Sequence, residues 1–188
     1  MKVNILNECG LQSSMLGLGL SHGLTSTISY SEVLTDKDLL KKLEGIANVL
    51  YRKDGGHNKF LESIVVWIDI LAPRYWWQEF DTYRVGMTKQ SESTIHTIAH
   101  KHFTQDDFER GISESALNYL NKLVTQRDFI QLKAELPEGF LQRRIVCTNY
   151  KALRTIIIQR RQHKLIEWRV FVDSILEQAR CPFLNDLK

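Results

Sequence analysis

Polar and apolar positions alternate in "MKVNIL", where Val3 and Ile5 stand against polar neighbours, and this two-residue period predicts an opening strand. Residues 10–30 mix Gly, Ser and Leu without a sustained period, and no element is assigned to them. In "TDKDLLKKLEGIANVLYRK" Leu39, Leu43, Ile46 and Leu50 recur at helical spacing. Thr35 is the expected N-cap, with Asp38 three residues on. "DGGHN" ends this helix, since glycine accepts the backbone geometry of a helix terminus.

"SIVVWIDILAP" is β-branched and apolar on both faces apart from Asp69, which predicts a strand buried on two sides. Pro73 cannot donate to a ladder but suits the first turn of a helix. "RYWWQEFDTYR" then puts Trp76, Phe80 and Tyr83 on one stripe, so the segment reads strand, proline, helix, loop. Residues 104–134 are expected to be helical, with Thr104 as a cap and Ala116, Leu117, Leu120 and Val124 as the apolar face until Pro137. "NYKALRTIIIQRRQ" and "LIEWRVFVDSILEQA" are two further helices, the second turning Leu165, Trp168, Val172, Ile175 and Ala179 inward. No repeat, low-complexity tract or linker divides the chain, so the expectation is one α/β domain over residues 1–188, richer in helix than in sheet.

Composition narrows the partners. With 43% hydrophobic and 25% charged residues the chain has the make-up of a soluble globular protein. A net charge of +3 permits an anionic ligand without demanding nucleic acid. Cys9, Cys147 and Cys181 form no CxxC or Cys/His cluster, so idle thiols are expected rather than a zinc site. "MKVNILNECG" has no signal-peptide core, and no apolar run has the length of a membrane span; a cytoplasmic protein is expected.

Most of the candidate chemistry reads as ordinary surface. His57 lies in a glycine-flanked turn, and His96, His100 and His102 have no acidic companions, so none is expected to hold a metal. Ser91 and Ser93 lack a nucleophile elbow, and Glu62 and Asp69 lack the spacing of a carboxylate pair. The basic set is more suggestive: Arg84, Lys133, Arg143, Arg144, Lys151, Arg154, Arg160 and Arg161 all adjoin apolar segments. Guanidinium forks suit phosphate, and equally such stems can lie over a core with their heads in water. Residue types and spacing stop at an α/β domain with anion-binding capacity.

A resemblance goes further. His57, then "ESIVVWIDILAP", then an aromatic helix carrying Gln78, resembles the flavin-dependent thymidylate synthases. That family has a histidine, a segment with a glutamate, a strand ending in Ala-Pro, and a helix leading to an Arg-His-Arg signature followed by a serine. Glu62 falls at the glutamate, and Ala72-Pro73 matches directly. Towards the C-terminus Leu136-Pro137, Asn149, Leu153, Arg160, Trp168 and the "CPF" turn follow in the family's order and nearly its spacing.

The departures fall on the charges. Counting from Ala72-Pro73 places Thr82, Tyr83 and Arg84 on Arg-His-Arg, whereas counting from Gln78 places Asp81, Thr82 and Tyr83 there. The later Ser-x-Arg-Tyr segment is "SESTI", and Lys133 stands where the family has the arginine before Leu-Pro.

The resemblance implies a small, mostly antiparallel sheet with packed helices, the thymidylate synthase-complementing-protein fold, in a homotetramer whose sites form where subunits meet. It implies FAD held by His57, Arg84 and Asn149, and a dUMP-like nucleotide held by Gln78, Ser93, Lys133 and Arg160. It implies methylation of dUMP to dTMP with methylenetetrahydrofolate and NADPH as co-substrates, and it assigns no protein nucleophile. Two other expectations stand beside it: a noncatalytic or regulatory homologue, and a nucleic-acid-binding module using residues 143–164.

Overall fold

The alternating segments pair into one sheet in the computed structural model, which describes residues 1–187. Its strands are β1 (Lys2–Cys9), β2 (Val65–Pro73), β3 (Thr88–Ser91) and β4 (Leu141–Asn149), all antiparallel in the order β1-β2-β4-β3. The helices are α1 (Leu11–Leu20), α2 (Tyr30–Thr35), α3 (Lys37–Leu50), α4 (Arg74–Phe80), α5 (Thr94–Thr97), α6 (Glu114–Gln126), α7 (Phe129–Ala134), α8 (Tyr150–Arg160) and α9 (Ile166–Gln178). The architecture is α+β, as the resemblance implies. Among the described residues no helix is long and apolar enough to cross a membrane.

β2 is the axis of the core. Val66, Ile68, Ile70 and Ala72 are fully buried on one face, while Val65, Trp67, Asp69 and Leu71 on the other are half-buried. Two-residue periodicity produces this division, and α4 then continues from the buried face. Trp76, Trp77, Phe80, Trp168 and Phe171 form its aromatic centre, with the Trp76 ring 4.7 Å from Trp168 and 4.9 Å from Phe80. α9 packs on β1, and Gln178 of α9 accepts from Ile5 N and donates to Val3 O. That amide satisfies part of an exposed strand edge which could otherwise pair with another chain.

A second, smaller core joins Ile98, Phe103, Phe108, Leu120, Leu123, Leu132, Leu136 and Phe140. It supports a lobe containing α5, α6 and α7 between β3 and β4.

Several local expectations are corrected. Asp36, not Thr35, caps α3, because its carboxylate accepts from the N–H groups of Asp38 and Leu39, while Thr35 ends α2. Residues 104–134 are not continuous helix: Thr104 caps only a 3-10 turn at Gln105–Asp107, and α6 begins after Ser113. Phe108 leaves the turn to bridge Phe140, which orders the segment as a strand-like tie. Pro73 remains the last residue of β2, opposite Leu141, and flanks α4 rather than occupying its first turn. Tyr83 lies beyond the end of α4.

Candidate functional site

The junction of β4 and α8 builds one candidate site. Asn149 caps α8, accepting from Ala152 N at 2.9 Å through Oδ1. Opposite it runs the loop after α4. Gly86 sits there at φ +70°, and a Cβ at Gly86 would lie 2.6 Å from Asn149 Nδ2. Thr148 Oγ1 donates to Gly86 O, so the loop is tied against the start of α8. A cavity of about 520 Å³ lies between them, lined by Tyr83, Arg84, Met87, Asn149, Lys151 and Glu62 among others. The first N–H groups of a helix lack intrahelical partners and carry partial positive charge, which favours an anion there.

Glu62 also borders a neighbouring cavity of about 580 Å³, whose wall includes His57, His22, Lys59, Ser13 and Leu50. Lys151 Nζ meets Glu62 Oε1 at 2.6 Å, at the place the two cavities share. His57 and the Arg84–Asn149 pair, distant in sequence, thus face adjoining spaces.

The positions that the resemblance sets on the signature, Asp81 to Arg84, divide by their contacts. Asp81 Oδ1 lies 2.8 Å from Lys89 Nζ, and Asp81 Oδ2 lies 3.0 Å from Arg144. Burial pushes the Asp81 carboxyl up, but hydrogen bonds from Lys89 and Arg144 outweigh it and leave it below the usual carboxylate range. Thr82 Oγ1 donates to Glu79 O. Tyr83 accepts from Arg160 Nε at 2.8 Å and donates to Gln159 Oε1 at 2.9 Å. Arg84 alone of these four is an exposed side chain with no hydrogen-bond or ion-pair partner among the described residues.

The same sorting applies to the whole basic set. Arg143 pairs with Asp69, Arg144 with Asp81, Lys151 with Glu62, Arg154 with Asp186 and Arg160 with Glu79. Arg84, Lys133 and Arg161 have no carboxylate partner among the described residues. For most of the set, then, each charge meets an internal counter-charge; Arg84 has none among the described residues and borders the cavity beside α8.

The residues expected on the nucleotide are dispersed. Ser93 precedes α5 and Lys133 lies on α7, and these two helices are in contact within the lobe. Arg160 lies at the end of α8, its guanidinium 4.7 Å from the Trp168 ring, with no described contact to Ser93 or Lys133. Gln78 donates to Glu138 at 2.8 Å and borders a third cavity of about 650 Å³.

That third cavity contains groups to which sequence reasoning assigned nothing. Tyr75, Glu79, Glu109 and Arg110 line it with Gln78 and Leu165. Behind them Glu167 is 1% exposed and accepts from Tyr75 at 2.5 Å, while its Oε2 has no partner. The signal was present: Glu167 falls on the inward face of a helix, where an unpaired carboxylate is costly. No group of His, Cys, Asp and Glu among the described residues could hold a metal ion.

No family model matches the sequence, and no curated protein matches it either. Solved structures do match by shape. The chain superposes on a thymidylate synthase X from Helicobacter pylori, solved with FAD and dUMP, at a TM-score of 0.78 and 13% identity, covering 100% of this chain and 99% of that one. A second Helicobacter pylori flavin-dependent thymidylate synthase, also complexed with FAD and dUMP, gives 0.76 at 14% identity, covering 100% and 97%. A UMP/dUMP methylase, PolB from Streptomyces cacaoi, bound with 5-Br dUMP, gives 0.66 at 12% identity, covering 94% and 88%. At such identities the likeness speaks for architecture, and the chain therefore has the fold of the flavin-dependent thymidylate synthases.

Proposed function

We propose that this chain is a flavin-dependent thymidylate synthase-like protein of one domain that binds FAD and a uracil deoxynucleotide. FAD is held by His57, Arg84 and Asn149, with Lys151 beside them, and dUMP by Gln78, Ser93, Lys133 and Arg160. The observation that carries the reading is the pairing of an end-to-end match to FAD- and dUMP-bound structures with an unpaired Arg84 at the cavity by the α8 N-terminus. That charge distribution fits a phosphate-bearing cofactor: the Arg84 guanidinium borders the space at the positive end of α8, where Lys151 is held beside it by Glu62. Flavin when bound would supply hydride, with methylenetetrahydrofolate as the carbon source and NADPH as reductant, so that dUMP becomes dTMP. This chain's residues would contribute phosphate binding, orientation and exclusion of water.

Ser93 and Lys133 sit on one lobe and Arg160 on the main core, and in the proposed assembly a second copy completes the nucleotide site. A homotetramer is the proposed assembly, and a monomer by light scattering at micromolar concentration would exclude it. Lys133 keeps a positive charge without a bidentate fork. Lys133→Arg is therefore expected to tighten dUMP binding or leave it unchanged, whereas Lys133→Glu abolishes it through like-charge repulsion. Titration calorimetry with FAD present checks both variants. Equal dUMP affinity in parent and Lys133→Glu would remove Lys133 from the site.

A second reading has its own observation. Asp81, Thr82 and Tyr83 are consumed by internal contacts where the family carries basic groups. This favours a noncatalytic homologue that keeps the fold and assembly. Flavin and dUMP binding without dTMP formation would support it over the enzyme.

A further inference from the structure

Glu62 is the only carboxylate among the described residues that line the α8 cavity and its neighbour, and it borders both. Arg84 and Lys151 bring cations to the wall of the first, and Lys59 to that of the second. Lys151 is the second residue of α8, where a cation opposes the positive end of the helix dipole. Around it the helix N–H groups are unevenly satisfied. Tyr150 N–H donates to Ile64 O and Ala152 N–H donates to Asn149 Oδ1, while the Lys151 N–H between them has no partner among the described residues. Glu62 Oε1, 2.6 Å from Lys151 Nζ, is thus the anion that the chain itself supplies at this helix end.

A phosphate drawn to the same place would meet that carboxylate, and like charges at such range repel. The pair is suited to exchange. The Lys151 side chain is 34% exposed and that of Glu62 54%, and an exposed ion pair between flexible side chains is weak. Phosphate oxygens can accept from the ammonium and from the free helix N–H, whereas Glu62 engages the ammonium alone. We propose that the Glu62–Lys151 pair is an exchangeable closure between the two cavities: an entering phosphate takes Lys151, and the released carboxylate turns to solvent and opens the passage. The ligand is then one whose phosphate lies beside α8 and whose remainder reaches past Glu62 towards His57. That ligand identity rests on the proposed binding of FAD; the exchange itself needs only a phosphate group.

The test is calorimetric titration of the full-length parent, Glu62→Gln, Lys151→Gln and the double variant, with FAD and with ADP, a diphosphate that lacks the flavin. Glu62→Gln is expected to tighten both ligands about threefold to tenfold, the scale of an exposed ion pair together with one removed repulsion. Lys151→Gln is expected to weaken both. In that background Glu62→Gln is expected to change affinity by less than about twofold, because the carboxylate has no ammonium to hold. Glu62→Ala is expected to give the same gain, which keeps the test open if the glutamine variant fails to fold. Unchanged or weaker binding on removal of the carboxylate, an equal gain with and without Lys151, or a parent protein that binds neither ligand would each overturn the inference. ADP that tightens in Glu62→Gln while FAD binds neither protein would keep the exchange and sink the flavin reading. FAD that binds the parent and Glu62→Gln alike would contradict the exchange alone.

Discussion

Replacing Arg84 by alanine is expected to weaken FAD binding about tenfold to a hundredfold, the range of one charge-assisted hydrogen bond. The side chain is exposed and has no partner among the described residues, so its removal leaves no buried group unsatisfied and the melting temperature stays within about 2 °C. The lower end of the affinity range applies at high salt, where an open site is screened. Flavin fluorescence titration at two salt concentrations measures both effects. Unchanged affinity in a protein that does bind flavin would show that Arg84 is a solvated surface residue. The contrast with Arg144 is useful: its charge lies over the Trp77 ring at 4.4 Å and is paired with Asp81, so its loss would act through folding.

The largest effect on stability is expected from Trp76→Ala. Trp76 is 0% exposed and contacts the rings of Trp77, Phe80, Trp168 and Phe171, so truncation leaves a cavity at the centre of the main core. Large aromatic truncations cost about 3–5 kcal/mol. For a chain of this size each kcal/mol lowers the melting temperature by about 2–4 °C, giving a fall of about 6–20 °C. Trp76→Phe is expected to cost less. It keeps a ring in place and removes the buried Nε1, which has no hydrogen-bond partner in the native core. Urea denaturation compares the two variants, and equal losses would mean that the ring edge, not the cavity, dominates.

Much of the scaffold was legible where periodicity is strong. β2 announces itself through β-branched residues, and α3, α8 and α9 through their apolar stripes. α1 was hidden because "LQSSMLGLGL" contains two glycines and has apolar residues around its circumference. Gly10 before it adopts φ +93°, with Ser63 O 2.3 Å from where a Cβ would be, a close approach that only tertiary structure reveals. β3 is four polar residues at a sheet edge and carries no pattern at all. In β4, Arg143 and Arg144 interrupt the apolar run, and their carboxylate partners Asp69 and Asp81 lie on other elements.

The site was legible in part for the same reason. Motif order singled out His57, Arg84 and Asn149 as candidates, and these line two adjoining cavities. It could not tell which cations are already neutralised, since ion pairs join residues far apart in sequence, 81 positions in Arg160 with Glu79 and 89 in Lys151 with Glu62. Nor could it find the Tyr75, Glu79 and Arg110 cavity, whose walls come from a helix, a turn and a helix entry. Within the chain Ser93 and Lys133 lie in the lobe and Arg160 lies on the main core, a separation that motif order does not reveal.

Whether this fold holds a flavin is read from the absorbance spectrum of the protein after incubation with FAD and desalting. Retained absorbance in the flavin band, near one FAD per chain and lost in part on Arg84→Ala, is the predicted result. A folded parent protein that emerges colourless would contradict the claim.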